Sequence, residues 1–290
     1  MASPLPIPRV ALIQIPIQTE TTPTLQLRKA TELIIRAARE NADLAVLPEM
    51  FLGWTPTTPK AKDEYATQCA EAISHFQALA EEHSINIIPG SICEAEKSGH
   101  GKTSYYNTTY YISRAGAILL SYRKVNLWVD ERLAFSKGDV HRVIDTPEFG
   151  KLGLLICWDL AFPEAFRMLI KQGARMIVIP TQWRSSDCGP AGLKHNPLSE
   201  TTFIDSVICA RAFENNACVV FCNVGGPETE GNFGGSQVTL PFKGAIAKLG
   251  PEEEMRVVEI EFGGILGDAE EVWGIRGDVA SEGWYDAKRS

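Results

Sequence analysis

The chain has 290 residues, of which 44% are hydrophobic and 22% are charged. This composition is typical of a globular protein with enough apolar material for a core, so it excludes disordered, collagen-like and coiled-coil proteins. The formal net charge is −8, and no long run of Lys and Arg occurs in the sequence. We therefore expect neither nucleic acid nor a membrane surface as a partner, and a small molecule is the better prediction.

The N-terminus and the cysteines indicate the cellular compartment. Residues 1–8 contain three prolines and no basic start followed by an apolar run, so they do not resemble a signal peptide. No apolar stretch approaches the roughly 18 residues that span a bilayer. The seven cysteines are an odd number without a Cys-x-x-Cys pair. We expect a cytoplasmic protein with free thiols and no metal site.

The first half of the chain alternates short apolar strands with amphipathic helices. In chain order, the patterns predict a strand over 9–17, a helix beginning at Thr22 and Pro23, a strand over 43–47, a helix over about 63–82, a strand over 85–92, and an antiparallel hairpin of strands 105–112 and 117–122. Thr22 is a suitable N-cap and Pro23 suits a first helical turn.

The second half continues the alternation. The patterns predict a strand over 151–157, a helix over 163–172, a strand over 176–179, a helix over 199–214, a strand over 218–222, and strands near 236–240 and 255–260. No linker or internal repeat divides the chain, so we expect one α/β domain over residues 1–290. Parallel links mixed with hairpins favour a layered sandwich with sheets inside and helices outside.

Three reactive side chains stand where apolar strands end. Glu49 follows Leu47-Pro48, Lys124 follows Tyr122-Arg123, and Cys157 follows Leu155-Ile156. A carboxylate, an ammonium and a thiol that converge at strand ends would supply a base, an oxyanion clamp and a nucleophile. Taken singly, each has an ordinary alternative: a solvated loop carboxylate, an exposed strand end and a core thiol.

The ordered series Leu-Pro-Glu49, Tyr-Arg-Lys124 and Ile-Cys157-Trp-Asp resembles the nitrilase superfamily of carbon–nitrogen hydrolases. The resemblance covers nearly the whole chain, and the further segments that carry it are Tyr106-Asn107-Thr108, Phe162-Pro163-Glu164 with Arg167, 211–215, and Pro241 to Gly244. It implies a four-layer αββα sandwich and a Glu-Lys-Cys catalytic set that needs no metal or cofactor.

The resemblance also implies a mechanism. Glu49 would take the thiol proton of Cys157, and the thiolate would attack an amide-like carbon. Lys124 and the backbone N–H of Trp158 would hold the oxyanion, and water would hydrolyse the resulting thioester. The expected activity is hydrolysis of a carbon–nitrogen bond in a small molecule. The alternatives are a nitrilase that uses the same cysteine and a non-catalytic binding or scaffold member of the fold.

A second glutamate belongs to the family's site, and we assign this role to Glu131. Its expected task is to fix Lys124, because an ammonium between two carboxylates stays charged and localised. The segment from Lys124 to Glu131 is shorter than in many members, and Asn126 stands where a His is common. Glu148 is therefore kept as a rival, and a solvated position of Glu131 is the ordinary alternative.

Two further tryptophans, Trp128 and Trp183, are expected to line the pocket with Trp158, although either could equally belong to the core. Residues 185–200 have the composition of a long loop, placed over the pocket or at a subunit contact. Within this loop His195 is interpreted as a hydrogen-bonded residue, because the mechanism leaves it no role.

Substrate preference and assembly are the last expectations. Family members that act on nitriles usually have Cys-Trp-Glu at the nucleophile, whereas this chain has Cys157-Trp158-Asp159, which favours amides. The C-terminal tail, about 262–290, contains Val272-Trp273-Gly-Ile275 and Trp284-Tyr285 beyond the last core strand. We expect this tail at the interface of a homodimer. The alternative is a tail that packs on its own subunit.

Overall fold

The computed structural model describes residues 7–17, 22–53, 56–99 and 102–281 of the chain. Its first half contains the following elements in order: β1 (Arg9–Gln14), α1 (Pro23–Arg39), β2 (Leu44–Val46), α2 (Pro59–His83), β3 (Asn86–Ile88), β4 (Ser91–Lys97), β5 (Thr103–Ile112), β6 (Ile118–Arg123) and α3 (Glu131–Ala134).

The second half begins with β7 (Val143–Thr146) and β8 (Gly150–Leu154), followed by a 3₁₀ helix (Cys157–Ala161). The remaining elements are α4 (Pro163–Lys171), β9 (Met176–Pro180), α5 (Gly189–His195), α6 (Ser199–Asn215), β10 (Cys218–Cys222), a 3₁₀ helix (Glu228–Glu230), β11 (Gln237–Leu240), β12 (Gly244–Lys248), β13 (Glu254–Glu259), α7 (Gly263–Trp273) and α8 (Ile275–Ala280).

The strands form two mixed sheets. The first has the order β13-β1-β2-β3-β5-β4, with β6 paired to β5, and the second has the order β12-β11-β10-β9-β8-β7. In both sheets the inner strands are parallel, namely β1 to β3 and β8 to β10, and the outer pairs are antiparallel. The carboxyl ends of parallel strands meet at one edge of a sheet, so the residues that follow them are brought together.

Alternation along β1 shows how the layers form. Val10 and Leu12 join a core that also contains side chains of the second sheet, whereas Ala11 and Ile13 join a separate core with α1 and α2. Successive side chains of a strand point to opposite faces, so β1 is buried on both sides. Helices therefore cover the outer face of the first sheet, while its inner face packs on the second sheet.

The second sheet is covered in the same way. A Cβ atom at Gly153 of β8 would stand 2.8 Å from Leu169 Cδ1 of α4, so glycine allows the helix to approach the strand closely. Helix α6 contacts β10 and β11. The order helix, sheet, sheet, helix confirms the expected four-layer αββα sandwich.

Helix α1 follows the sequence prediction closely. Thr22 accepts a hydrogen bond from the backbone N–H of Leu25 at 3.3 Å, and Pro23 occupies the first turn. The buried face consists of residues spaced three or four apart, as an amphipathic helix requires: Gln26, Ala30, Ile34 and Ala37.

One predicted strand is wrong in its extent. Residues 85–92 form two strands, β3 and β4, which are separated at Pro89-Gly90. Gly90 has a φ of +75°, and a Cβ atom there would stand 1.9 Å from the carbonyl oxygen of Pro48. Only glycine fits this turn, because the neighbouring chain approaches closely and φ is positive. The turn therefore packs directly against the segment that carries Glu49.

The predicted loop and tail also contain helices. Residues 185–200 include α5, and part of the tail forms α7 and α8. Arg276 Nη1 of α8 donates to the carbonyl oxygen of Ala174 at 2.7 Å, and Val279 is buried. This part of the tail therefore packs on its own chain. Trp284 and Tyr285 lie outside the described residues. Within the described ranges, no helix combines the length and apolar character needed to cross a membrane.

Candidate active site

Glu49, Lys124 and Glu131 meet in a buried ion triad. Lys124 Nζ lies 2.8 Å from Glu49 Oε1 and 2.6 Å from Glu131 Oε2. Glu49 is 4% exposed, Lys124 is 1% exposed and Glu131 is 9% exposed. Burial alone would lower the pKa of Lys124, but the neighbouring carboxylates outweigh it and raise that pKa well above the usual value. Lys124 is therefore a permanently charged ammonium.

Asn107 completes the triad, although the sequence marked it only as part of a family segment. Its Nδ2 donates to Glu49 Oε1 at 2.8 Å and to Glu131 Oε1 at 2.7 Å. The backbone N–H of Trp128 adds a bond of 2.7 Å to Glu131 Oε2. Each carboxylate is thus held by at least two protein donors, which fixes its orientation.

Cys157 opens the 3₁₀ helix directly after β8 and the buried pair Leu155-Ile156. Its φ is +46°, an uncommon conformation for a residue other than glycine. This sharp turn directs the chain away from the strand, and the thiol lines the same cavity as the triad. The thiol donates to the carbonyl oxygen of Gln182 at 3.8 Å, and the charge of Glu49 acts on it within the same cavity. The structure therefore places a carboxylate beside a thiol, and an ammonium beside that carboxylate.

The electrostatics favour the neutral thiol at rest. Burial raises the pKa of the Cys157 thiol well above its usual value, and the negative charge of Glu49 adds to this effect, whereas Lys124 opposes it. Burial also raises the pKa of Glu49, and Lys124 opposes this shift. Glu49 additionally accepts the backbone N–H of Gln182 at 2.9 Å. A thiol and a carboxylate that line one cavity can exchange one proton within it.

Asp159 joins the turn at Cys157 to the segment after Lys124. This fully buried carboxylate accepts hydrogen bonds from Tyr122 Oη at 2.8 Å, from both nitrogens of Asn126 at 2.9 Å and from Ile156 N at 3.0 Å. Asn126, which stands where the family commonly has His, is therefore a donor to Asp159. The sequence did not mark Asp159 as a positioning residue, because its partners Tyr122 and Asn126 lie more than 30 positions earlier in the chain.

We predict that Asp159→Asn lowers both stability and turnover. The amide replaces one carboxylate oxygen, so at least one buried donor loses its acceptor, at a cost of about 1–3 kcal/mol. Thermal unfolding and the rate of amide hydrolysis measure the two effects. Asp145→Asn, on the exposed side of β7, is the matched control and should resemble the wild type. Wild-type stability of Asp159→Asn would show that these hydrogen bonds contribute nothing.

The cavity beside the triad has a volume of about 350 Å³, which suits a small molecule. All three tryptophans of the sequence prediction line it: Trp128, Trp158 and Trp183. The rings of Trp128 and Trp158 meet edge to face with centroids 4.4 Å apart, and Trp158 lies 5.4 Å from Trp183. Trp183 is also 2% exposed, so it belongs to the core and to the cavity wall at once.

Two other candidates lie away from the cavity. Glu148 pairs with Arg114 at 2.6 Å, and the same guanidinium contacts Asp43, which precedes β2 at the end opposite Glu49. His195 is the exposed last residue of α5. Of the region predicted as a loop, Asp187 lines the cavity and Glu200 accepts a hydrogen bond from the indole of Trp183.

The chain is similar to known proteins in both sequence and fold. The family model described as carbon-nitrogen hydrolase matches residues 9–265. A 2-oxoglutaramate amidase of Bacillus subtilis (strain 168) is 30% identical over 82% of this chain and 85% of its own length. A probable nitrilase of Schizosaccharomyces pombe is 38% identical over 61% of this chain and 59% of its own length.

Among solved structures, an amidase from Nesterenkonia sp. AN1 matches with a TM-score of 0.73 and 26% identity, over 94% of this chain and 99% of that one. That structure, of a mutant form, shows covalent addition of the acetamide moiety of fluoroacetamide at the active-site cysteine. The family match spans most of this sequence and agrees with the αββα architecture. The chain belongs to the carbon-nitrogen hydrolase family, within the nitrilase superfamily.

Proposed function

We propose that this enzyme hydrolyses an amide bond of a small molecule through a thioester on Cys157. The observation that carries the proposal is the buried ammonium of Lys124 between Glu49 and Glu131, beside a thiol in one cavity. Burying three charges is costly, so their retention beside a nucleophile suggests a chemical role. The amidase relative from Bacillus subtilis and the amidase structure from Nesterenkonia support the amide as the substrate class.

In the proposed first half-reaction, the thiol proton moves to Glu49 while the Cys157 sulfur bonds to the amide carbon. The carbonyl π electrons move to oxygen, and Lys124 with the backbone N–H of Trp158 stabilises the oxyanion. Glu49 then gives its proton to the leaving nitrogen, the carbon–nitrogen bond breaks, and ammonia or an amine departs. In the second half-reaction, Glu49 accepts a proton from water as the water oxygen bonds to the thioester carbon. The carbon–sulfur bond then breaks, the acid departs, and Glu49 returns the proton to the Cys157 sulfur.

Glu131 has a separate role in this proposal. It balances the charge of Lys124, so that Lys124 remains a cation even when Glu49 has accepted a proton. An ammonium held between fixed carboxylates needs no reorganisation when the oxyanion forms, which is the source of electrostatic stabilisation. We assign Glu131 as a positioning residue for Lys124, and Glu148 has no part in the reaction.

The first test compares amides with nitriles of the same carbon skeleton. We expect kcat/KM, measured by ammonia release, to favour the amide in every pair. An amide carbonyl oxygen reaches the oxyanion site from the start, whereas a linear nitrile presents only nitrogen and needs a differently shaped cavity. The nitrile is the second candidate because the relative in Schizosaccharomyces pombe is called a probable nitrilase. A consistent preference for the nitrile would reverse the assignment.

We also propose that the enzyme is a cytoplasmic homodimer. Phe242 and Val272 are 47% and 67% exposed, and Trp273 packs on Phe242 with ring centroids 4.6 Å apart. Exposed aromatic and aliphatic side chains that adjoin one another are typical of interfaces. Light scattering should give about twice the monomer mass of 31.9 kDa at micromolar concentrations. A monomer over that range would contradict the proposal.

A further inference from the structure

The side chain of Gln182 is buried in the cavity wall without a partner. Gln182 is 8% exposed and lines the cavity with the catalytic candidates. Within the part of the chain that the structure describes, neither its Nε2 nor its Oε1 has a hydrogen-bond partner. A buried amide without partners is unfavourable, so native proteins rarely keep one unless another molecule completes it. Both atoms are buried although the residue lines the cavity, so a rotation of the side chain is needed to bring this amide to a ligand there.

The backbone of Gln182 is already committed to the proposed machinery. Its N–H donates to Glu49 Oε2 at 2.9 Å, and its carbonyl oxygen lies 3.8 Å from the Cys157 sulfur. These contacts hold the residue beside the reacting groups and leave only the carboxamide unused. A substrate group that bonds to this carboxamide must therefore lie a short distance from the scissile carbon within the substrate molecule.

The other polar side chains of the wall differ from Gln182. Arg184 also lines the cavity and has an unpartnered Nε, but its Nη2 donates to the carbonyl oxygen of Ile17 at 2.9 Å. Trp183 donates its indole N–H to Glu200. Among the cavity-lining side chains that the structure describes, Gln182 is the one whose polar atoms are all both buried and unpartnered.

We propose that Gln182 determines specificity by binding a second, uncharged polar group on the acyl part of the substrate. The inference rests on the proposed amidase function. A carboxamide offers donors and an acceptor side by side, so its best partner offers an acceptor and a donor in turn, as a second carboxamide does. Both atoms of Gln182 are satisfied by such a group, whichever way the amide is oriented.

A carboxylate is a poorer partner for two reasons. It accepts from Nε2 but leaves Oε1 facing an anion without a donor. The cavity lining also contains more carboxylates than cations: Glu49, Asp130, Glu131 and Asp187 against Lys124 and Arg184. Lys124 is held by two of these carboxylates. The charge balance therefore favours an acyl group that carries no negative charge.

The test uses four amides of one shape that differ at the far carbon: butanediamide, 4-oxopentanamide, 4-methylpentanamide and 4-amino-4-oxobutanoate. We expect the wild-type kcat/KM for butanediamide, halved for its two equivalent amides, to exceed that for 4-methylpentanamide by about tenfold or more. The ketone, which only accepts, should lie between them. The carboxylate should be a poorer substrate than butanediamide.

The variants Gln182→Met and Gln182→Leu remove the hydrogen bonds while keeping the approximate volume. In both, the ratio of kcat/KM for butanediamide to that for 4-methylpentanamide should fall to about one. The two substrates are compared on the same variant, so a general loss of activity cancels in this ratio. Gln172→Met is the matched control, since the Gln172 amide bonds to the carbonyl oxygens of His141 and Met168 away from the cavity, and it should keep the wild-type ratio.

Three results would overturn the inference: a wild-type ratio near one, a wild-type ratio retained in both Gln182 variants, or a tenfold preference for 4-amino-4-oxobutanoate over butanediamide. Each of these requires measurable hydrolysis, so each leaves the proposed amidase function standing. A wild-type protein that releases ammonia from none of the four amides contradicts the proposed function itself, and the inference about Gln182 fails with it.

Discussion

Cys157→Ala is expected to abolish turnover while leaving the fold intact. The proposed reaction forms its only covalent bond to the enzyme at this sulfur, and removal of a catalytic nucleophile costs on the order of 10⁶ in kcat in a well-studied protease. The change removes a single heavy atom from a side chain that is 7% exposed at the cavity wall, so the melting temperature should change little. Ammonia release and thermal unfolding measure the two quantities on the same preparation.

Cys209→Ala is the matched control for this experiment. Cys209 is an exposed thiol on α6 that does not line the cavity of the triad, so its loss should leave the rate unchanged. Mass spectrometry of the wild type during turnover should show the acyl group on Cys157. A Cys157→Ala protein that retains substantial activity would refute the thioester mechanism. A wild type that binds amides without turning them over would instead support the alternative of a binding member of the fold.

The positions of Glu49, Lys124 and Cys157 could be predicted because each follows an apolar run that the sequence alone reveals. A run of buried residues indicates a strand, and the residue after it lies at the sheet edge. The structure indeed places all three in one cavity lining. The sequence could not show which strand ends lie next to each other. Glu49 and Gln182 are 133 positions apart, and their contact depends on how the two sheets pack face to face.

Other site residues lack a local signal altogether. Asn107 lies inside β5, in a run of three polar residues between two pairs of tyrosines, and nothing in that pattern distinguishes it from Thr108 or Thr109. The residues next to Asp159 in sequence indicate only the start of a helix. Its role could not be predicted, because its partners Tyr122 and Asn126 lie more than 30 positions away. The break between β3 and β4 has the same origin, since the contact of Gly90 with Pro48 exists only after the strands have paired.

The absence of a local sequence signal also explains why helix α3 was not predicted. The four-residue helix α3 is too short to produce a periodic pattern, yet its first residue is Glu131. Its placement comes from Lys124, which lies only seven positions earlier and draws the carboxylate inward. The sequence favoured Glu131 as the second glutamate through the family resemblance but kept Glu148 as a rival, because neither carboxylate follows a predicted strand that would place it at the site. Their surroundings separate them: one faces a buried ammonium, and the other faces the half-exposed Arg114.

The carboxylates near the site are expected to differ sharply in importance. Glu49→Gln keeps the shape of the side chain and removes its ability to accept a proton, so the acylation rate should fall by about 10² to 10⁴. Acylation is measured as the first burst of ammonia in a single turnover, which separates it from thioester hydrolysis. An unchanged burst rate would mean that another group accepts the thiol proton.

Glu131→Gln should lower kcat/KM by about 10², the scale seen when one donor to an oxyanion is lost or misplaced. A carboxylate satisfies Asn107, Lys124 and the Trp128 N–H with two oxygens, whereas glutamine has one oxygen and must turn its NH₂ toward one of these donors. Lys124 then moves or loses a partner. Glu148→Gln is the matched control with the same chemical change, and its ion pair with Arg114 lies at the end of the first sheet opposite Glu49, so its rate should stay near that of the wild type. The reverse order of the two variants would show that the assignment of the second glutamate to Glu131 is wrong.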